Sequence, residues 1–116
     1  MTYDPVLGDR ISDWFTHKKI PFEVKKMMGG LCFMVNDKMC VGVMKNELMA
    51  RIAPEVYEAA LQQDGCRHMD FTGRILKGFV LVEPFALAGE QDIDQWMQLA
   101  LDFNPRARSS RKKKKV

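Results

Sequence analysis

Apolar residues near the start of the chain recur at helical spacing. Leu7, Ile11, Trp14 and Phe15 fall on one helix face, while Asp9, Arg10 and Asp13 point elsewhere. Asp4 suits the N-cap, where its carboxylate accepts from free N–H groups of the first turn, and Pro5 suits the first helical position. The helix must stop before Pro21, because the residue preceding a proline avoids the α region.

From Phe22 to Ile52 the period shortens. The runs Phe22–Met28, Leu31–Val35, Lys38–Met44 and Leu48–Ile52 read as strands. Gly29-Gly30 suits a two-residue hairpin turn with positive φ. Asn36-Asp37 suits the next turn and Lys45-Asn46-Glu47 the third. Connections this short force neighbouring strands to be antiparallel, which predicts a four-stranded meander. If Asn36-Asp37 is a two-residue turn, Phe33 faces Cys40 and Cys32 faces Val41. Leu31, Phe33, Val35, Cys40 and Met44 then share one face, and Cys32, Met34, Met39, Val41 and Val43 the other. Neither face is polar, so each needs cover. Helices can supply it on one side; a second helix, a crossing tail or a partner subunit must supply it on the other. Cys32 and Cys40 point to opposite faces in this register.

Pro54 opens a second helix with Val56, Tyr57, Ala60 and Leu61 on its apolar face and Gly65 just past its end. A polar link, residues 64–74, leads to a further strand, Ile75–Glu83, ended by Pro84. A third helix is expected from about Glu90 to Phe103, with Ile93, Trp96, Met97, Ala100 and Leu101 on one face. Glu90 and Asp92 sit favourably at its positive N-terminal end. The order α-β4-α-β-α predicts a two-layer α+β domain, an antiparallel sheet of about five strands with three helices, over residues 1–104. Residues 105–116 read as a disordered basic C-terminal tail.

Charge is unevenly spread. Arg106, Arg108, Arg111, Lys112, Lys113, Lys114 and Lys115 carry seven positive charges with no acid among them. Residues 1–105 hold eleven basic and fifteen acidic residues, so the body is net acidic. A domain built to lie along nucleic acid usually carries a basic face on its body as well. Three cysteines without regular spacing suggest reduced thiols rather than a disulfide framework. The start has no signal-peptide pattern and no apolar run approaches about 20 residues. These features predict a cytoplasmic location.

The segment Lys25-Lys26-Met27-Met28-Gly29-Gly30-Leu31-Cys32-Phe33-Met34-Val35-Asn36 resembles the lysine-methionine-phenylalanine-glycine-glycine stretch of TfoX/Sxy N-terminal domains. Met39–Val43 is similar to the strand that follows. Met69-Asp70-Phe71-Thr72-Gly73-Arg74 and Lys77-Gly78-Phe79-Val80 resemble the second hallmark of that family. Met28 stands where the family usually has phenylalanine, and Ile75 where proline is common. The resemblance covers residues 1–104. It implies a secretion-chaperone-like fold, a twisted antiparallel sheet with helices. It also implies a link to competence regulation, where longer members with a second, C-terminal domain act as transcriptional co-activators; the expectation here is a stand-alone N-terminal domain.

Candidate chemistry is sparse. Gly29-Gly30 lacks the spacing and following helix of a phosphate loop. His68 beside Asp70 has no nucleophile motif with it, and Cys66 sits at no electropositive helix start. Cys32, Cys40, Cys66 and His68 do not repeat a zinc-ligand spacing. The expectation is therefore no catalytic residue, no metal and no cofactor. The loop Asp70–Arg74 is polar and suits binding. Together with Arg51, Arg67 and Lys77 it gives a candidate binding surface of Arg51, Arg67, Asp70, Arg74 and Lys77. Nine methionines suit either a core or an adaptable partner surface. The leading expectation is a non-enzymatic regulatory or protein-interaction module, a homodimer or a partner of another protein, kept off membranes. The alternative is a nucleic-acid-binding protein whose tail makes nonspecific phosphate contacts.

Overall fold

In a computed structural model, the described residues are 3–27, 29–71 and 73–106, with the side chains of Met27, Phe71, Arg74, Leu76 and Lys77 outside the description. The chain runs α1 (Pro5–His17), β1 (Glu23–Met27), β2 (Gly30–Val35), β3 (Lys38–Met44), β4 (Glu47–Arg51), α2 (Pro54–Leu61), β5 (Cys66–Phe71), β6 (Arg74–Val82) and α3 (Glu90–Phe103). Short 3-10 turns occupy Pro84–Leu87 and Asn104–Arg106. The six strands form one antiparallel sheet in the order β1-β2-β3-β4-β6-β5. The domain is α+β, as the sequence predicts. The link expected over 64–74 is instead mostly strand: β5 pairs along β6 and becomes a sheet edge.

Helix α1 begins as its sequence dictates. Asp4 Oδ1 accepts from the Val6 N–H at 2.9 Å, and Pro5 fills the first turn. Asn36 and Asp37 both have positive φ, the conformation a two-residue hairpin turn needs, and Val35 pairs with Lys38. The first hairpin differs from expectation. Met27 pairs with Gly30, so the connection is one residue earlier and Gly30 opens β2. Only Gly29 of the pair has positive φ. Gly30 serves another need: a Cβ there would collide with the Val43 carbonyl oxygen.

The register between β2 and β3 also departs from the expected one. Phe33 pairs with Val41 and Met34 with Met39, leaving Cys40 as the extra residue of a β-bulge. The bulge puts Cys40 and Val41 on one side of the sheet. Val41 and Val43 therefore join Phe33 and Val35, while Met44 crosses to the side of Cys32. Cys32 and Cys40 do lie on opposite sides.

All three helices cover one face. Ile11 and Phe15 from α1, Ala60 from α2, and Ile93, Trp96, Met97 and Ala100 from α3 pack with Phe33, Val41, Val43, Ala50, Val80 and Val82. The other face holds a second cluster of Cys32, Met34, Met49, Met69 and Leu81, flanked by Met39, Met44 and Phe79. Every member comes from a strand. Cys32 and Met49 are fully buried even so. Among the described residues no helix packs on this face, so the second helix expected there is not the cover.

Candidate functional site

A groove of about 900 Å³ opens beside the strand-built cluster, with Met44 and Leu81 of that cluster in its lining. Gly29, at the turn beside edge strand β1, and Asp70, on edge strand β5, both line it. Met44 and Leu81 give it an apolar floor. Asp4, Lys45, Glu47, Arg67 and Asp70 contribute its charges. Tyr3 bridges to Lys45, and the Asp4 N–H donates to the Lys45 carbonyl at 2.6 Å, so the N-terminal segment forms part of the wall. Arg67 Nη2 donates to Glu47 Oε1 at 2.6 Å. Pairing of β4 and β5 to the same strand, β6, places these two side chains together.

Of the residues singled out in the sequence, Arg67 and Asp70 meet in this groove. Arg51 does not. It is half-buried at the end of β4, with its guanidinium 5.3 Å from the Phe79 ring centre and 6.0 Å from that of Phe103. Arg74 and Lys77 lie on β6, with side chains outside the description. Of the tail residues, Arg106 is placed in the second 3-10 turn, where its guanidinium pairs with Glu55. Arg108, Arg111 and Lys112 to Lys115 lie outside the described residues.

The thiols are poorly suited to nucleophilic work. Burial pushes Cys40 up to about 12, against a smaller opposing pull from Arg51. Burial likewise raises Cys66 to about 11, and raises Cys32. Each shift moves its group away from the reactive thiolate. Among the described residues, no group of three or more His, Cys, Asp or Glu gathers to hold a metal ion. No helix among them is long and apolar enough to cross a membrane.

Two residues the sequence reading passed over shape the region near the chain's exit. Asn104 is buried; its Nδ2 donates to the Val35 carbonyl at 3.1 Å and its Oδ1 accepts from Asn36 Nδ2 at 3.0 Å. Glu55 holds Arg106. The Asn-Pro sequence at 104–105 signals a turn, but nothing local reveals the long-range bonds.

The architecture is that of an open antiparallel sheet with the described helices on one face and, beside the strand-built cluster of the other, a groove floored by Met44 and Leu81. The chain belongs to the TfoX N-terminal domain family, which matches residues 18–104, from the end of α1 through α3. No curated protein and no solved structure matches it.

Proposed function

We propose that this domain is a non-enzymatic regulatory module related to competence regulators, and that it acts by binding an extended protein segment in the Met44–Leu81 groove. Membership of the TfoX N-terminal domain family supports the regulatory part. The observation that carries the binding part is the groove itself: an apolar floor with the Glu47–Arg67 pair and Asp70 along its rim. Thioether side chains repack around different apolar groups, and a charged rim fixes the orientation of what enters. Self-association into a homodimer belongs to the same reading, since β1 and β5 are both open sheet edges.

Panning a random peptide library against the protein tests this. Selected peptides should perturb the amides of Met44, Glu47, Arg67 and Leu81. Arg67→Glu should weaken them at least tenfold, while circular dichroism stays unchanged. Peptides that map to the helical face, or that ignore Arg67→Glu, would refute the groove assignment. Light scattering over a wide concentration range tests the dimer, and a strict monomer throughout would remove it. Binding of a nucleic acid duplex that falls with salt and is lost on neutralisation of Arg108 and Arg111 to Lys115 would favour the nucleic-acid reading instead.

A further inference from the structure

Helices α2 and α3 carry no lysine or arginine. Their charged residues are Glu55 and Glu58 on α2, and Glu90, Asp92, Asp94 and Asp102 on α3. Between the two helices runs a groove of about 480 Å³. Val56, Ala60 and Leu99 line it with apolar groups, and Asp94 and Asp102 line its α3 side. Asp94 Oδ1 also accepts from Trp14 Nε1 at 2.9 Å and lies 3.9 Å from Lys18 Nζ, which leaves its other oxygen, with Asp102, for the groove. Gln95 Nε2 donates to Gln63 Oε1 at 3.4 Å and bridges the helices at one end. Glu55, at the start of α2, and Asp102, near the end of α3, mark the other end, so the helices run antiparallel.

Residues 104–106 are held at that second end. Lys38 Nζ donates to the carbonyls of Asn104 and Pro105, each at 3.2 Å. Arg106 pairs with Glu55 through both guanidinium nitrogens, and its guanidinium lies 5.5 Å from the Phe103 ring centre. Arg106, the last described residue, therefore sits beside the start of α2, next to groove residue Val56. The ten residues that follow hold Arg108, Arg111 and Lys112 to Lys115, with no acid among them.

We propose that residues 107–116 fold back into the α2–α3 groove and set their basic groups against its carboxylates. Reach permits it: ten extended residues span roughly 33 Å, whereas Asp94 and Asp102 are about 12 Å apart along α3. Charge complementarity selects this occupant. The most acidic pair of helices meets the most basic segment of the same chain, already joined to it through Arg106. A tethered segment meets its site at an effective concentration in the millimolar range, which favours it over an equally basic stranger. Exposed ion pairs are individually weak and screened by salt, so the docking is held by their number and loosens as ionic strength rises. A nucleic acid that binds the tail must first compete with the body's own carboxylates.

Amide spectra of the full chain test the proposal. Ala59, Gln63, Gln98 and Leu99 should shift between low salt and about 0.5 M salt, where screening reaches within a few ångströms. The same amides in K112Q/K113Q/K114Q/K115Q should already sit near their high-salt positions, and the salt response should be lost. D94N/D102N tests the other side of the contact without touching the tail, and should reduce the response in the same amides. Groove amides that ignore salt and tail neutralisation alike would overturn the proposal. So would a response confined to the Met44–Leu81 groove. A response that grows with protein concentration would assign the contact to a second copy's tail and overturn the fold-back.

Discussion

Arg106 meets Glu55 end to end: Nη1 donates to Oε2 at 2.6 Å and Nη2 donates to Oε1 at 3.2 Å. The two residues are 51 apart in sequence, so the pair ties the exit of α3 to the entrance of α2. The hydrogen bonds from Arg106 are the main reason the Glu55 carboxyl titrates below its ordinary range.

That shift has a definite sign. A carboxyl whose folded pKa is depressed contributes stability above its unfolded pKa and loses it as pH falls through the folded value. Both side chains are more than half exposed, so the contribution to stability is small. The direct readout is better. Carboxyl carbon shifts should place the Glu55 midpoint below the ordinary glutamate range, and Arg106→Gln should bring it back into that range. An unchanged midpoint in the variant would dissociate the two residues in solution.

The adjacent glycines of the first hairpin should respond differently to substitution. A Cβ on Gly29 meets nothing within 4 Å, so Gly29→Ala suffers only the cost of positive φ, about 1–2 kcal/mol. Gly30 has no positive φ, but its Cβ would strike the Val43 carbonyl, a backbone group fixed in the sheet. Gly30→Ala should destabilise by about 3 kcal/mol or more, since overpacking here has no flexible side chain to displace. Urea midpoints for the two variants would decide it, and equal losses would contradict the close approach of Gly30 to the Val43 carbonyl.

Much of this architecture is written locally. Asp4-Pro5, Asn36-Asp37 and Pro54 each fix a start or a turn through their own backbone chemistry, and α3 follows from its apolar stripe. Strand β5 is hidden because Cys66-Arg67-His68-Met69-Asp70-Phe71 is polar at alternate and adjacent places, as befits an exposed edge. Its irregular pairing, with His68 opposite Val80 but Met69 opposite Leu76, breaks the period of two as well. The Cys40 bulge is equally silent in sequence, since all neighbouring residues are apolar, yet it decides which face Val41 and Val43 occupy. The groove depends on long-range strand pairing, which brings Gly29, Met44, Arg67 and Leu81 to one site. Arg67 and Asp70 are legible as polar candidates, whereas Glu47 enters only through the shared pairing of β4 and β5 with β6.

The buried Cys40 thiol should make stability fall on the alkaline side. An unfolded cysteine loses its proton near pH 9, while burial holds the folded group up to about 12. The folded state keeps the proton longer, so this contribution is complete below pH 9 and lost as pH rises toward 12. The slope from one such thiol approaches about 1.4 kcal/mol per pH unit in that window. Cys40→Ala should unfold more easily at pH 8 but decline less steeply from pH 9 to 11. Parallel slopes for the two proteins would show the thiol to be accessible in the native state.

Asn104 is the remaining joint between the helical layer and the sheet. It is 2% exposed, and its side chain satisfies the Val35 carbonyl while accepting from Asn36. Its own carbonyl accepts from Lys38. The β2–β3 turn and the end of α3 are thus fastened through one residue. Asn104→Ala should cost about 1–3 kcal/mol, because it leaves the Val35 carbonyl without that donor inside the fold. Asn104→Asp preserves size and the acceptor for Asn36 but removes the donor to Val35, and it places a carboxylate beside a carbonyl oxygen. It should therefore lose at least as much stability at neutral pH and recover part of it as the carboxyl is protonated in acid. Hydrogen exchange at Asn36 and Asp37 reads the joint directly: both amides should exchange faster in either variant than in the parent chain. Unaltered exchange there, with stability equally unaltered, would mean that packing of α3 alone holds the turn in place.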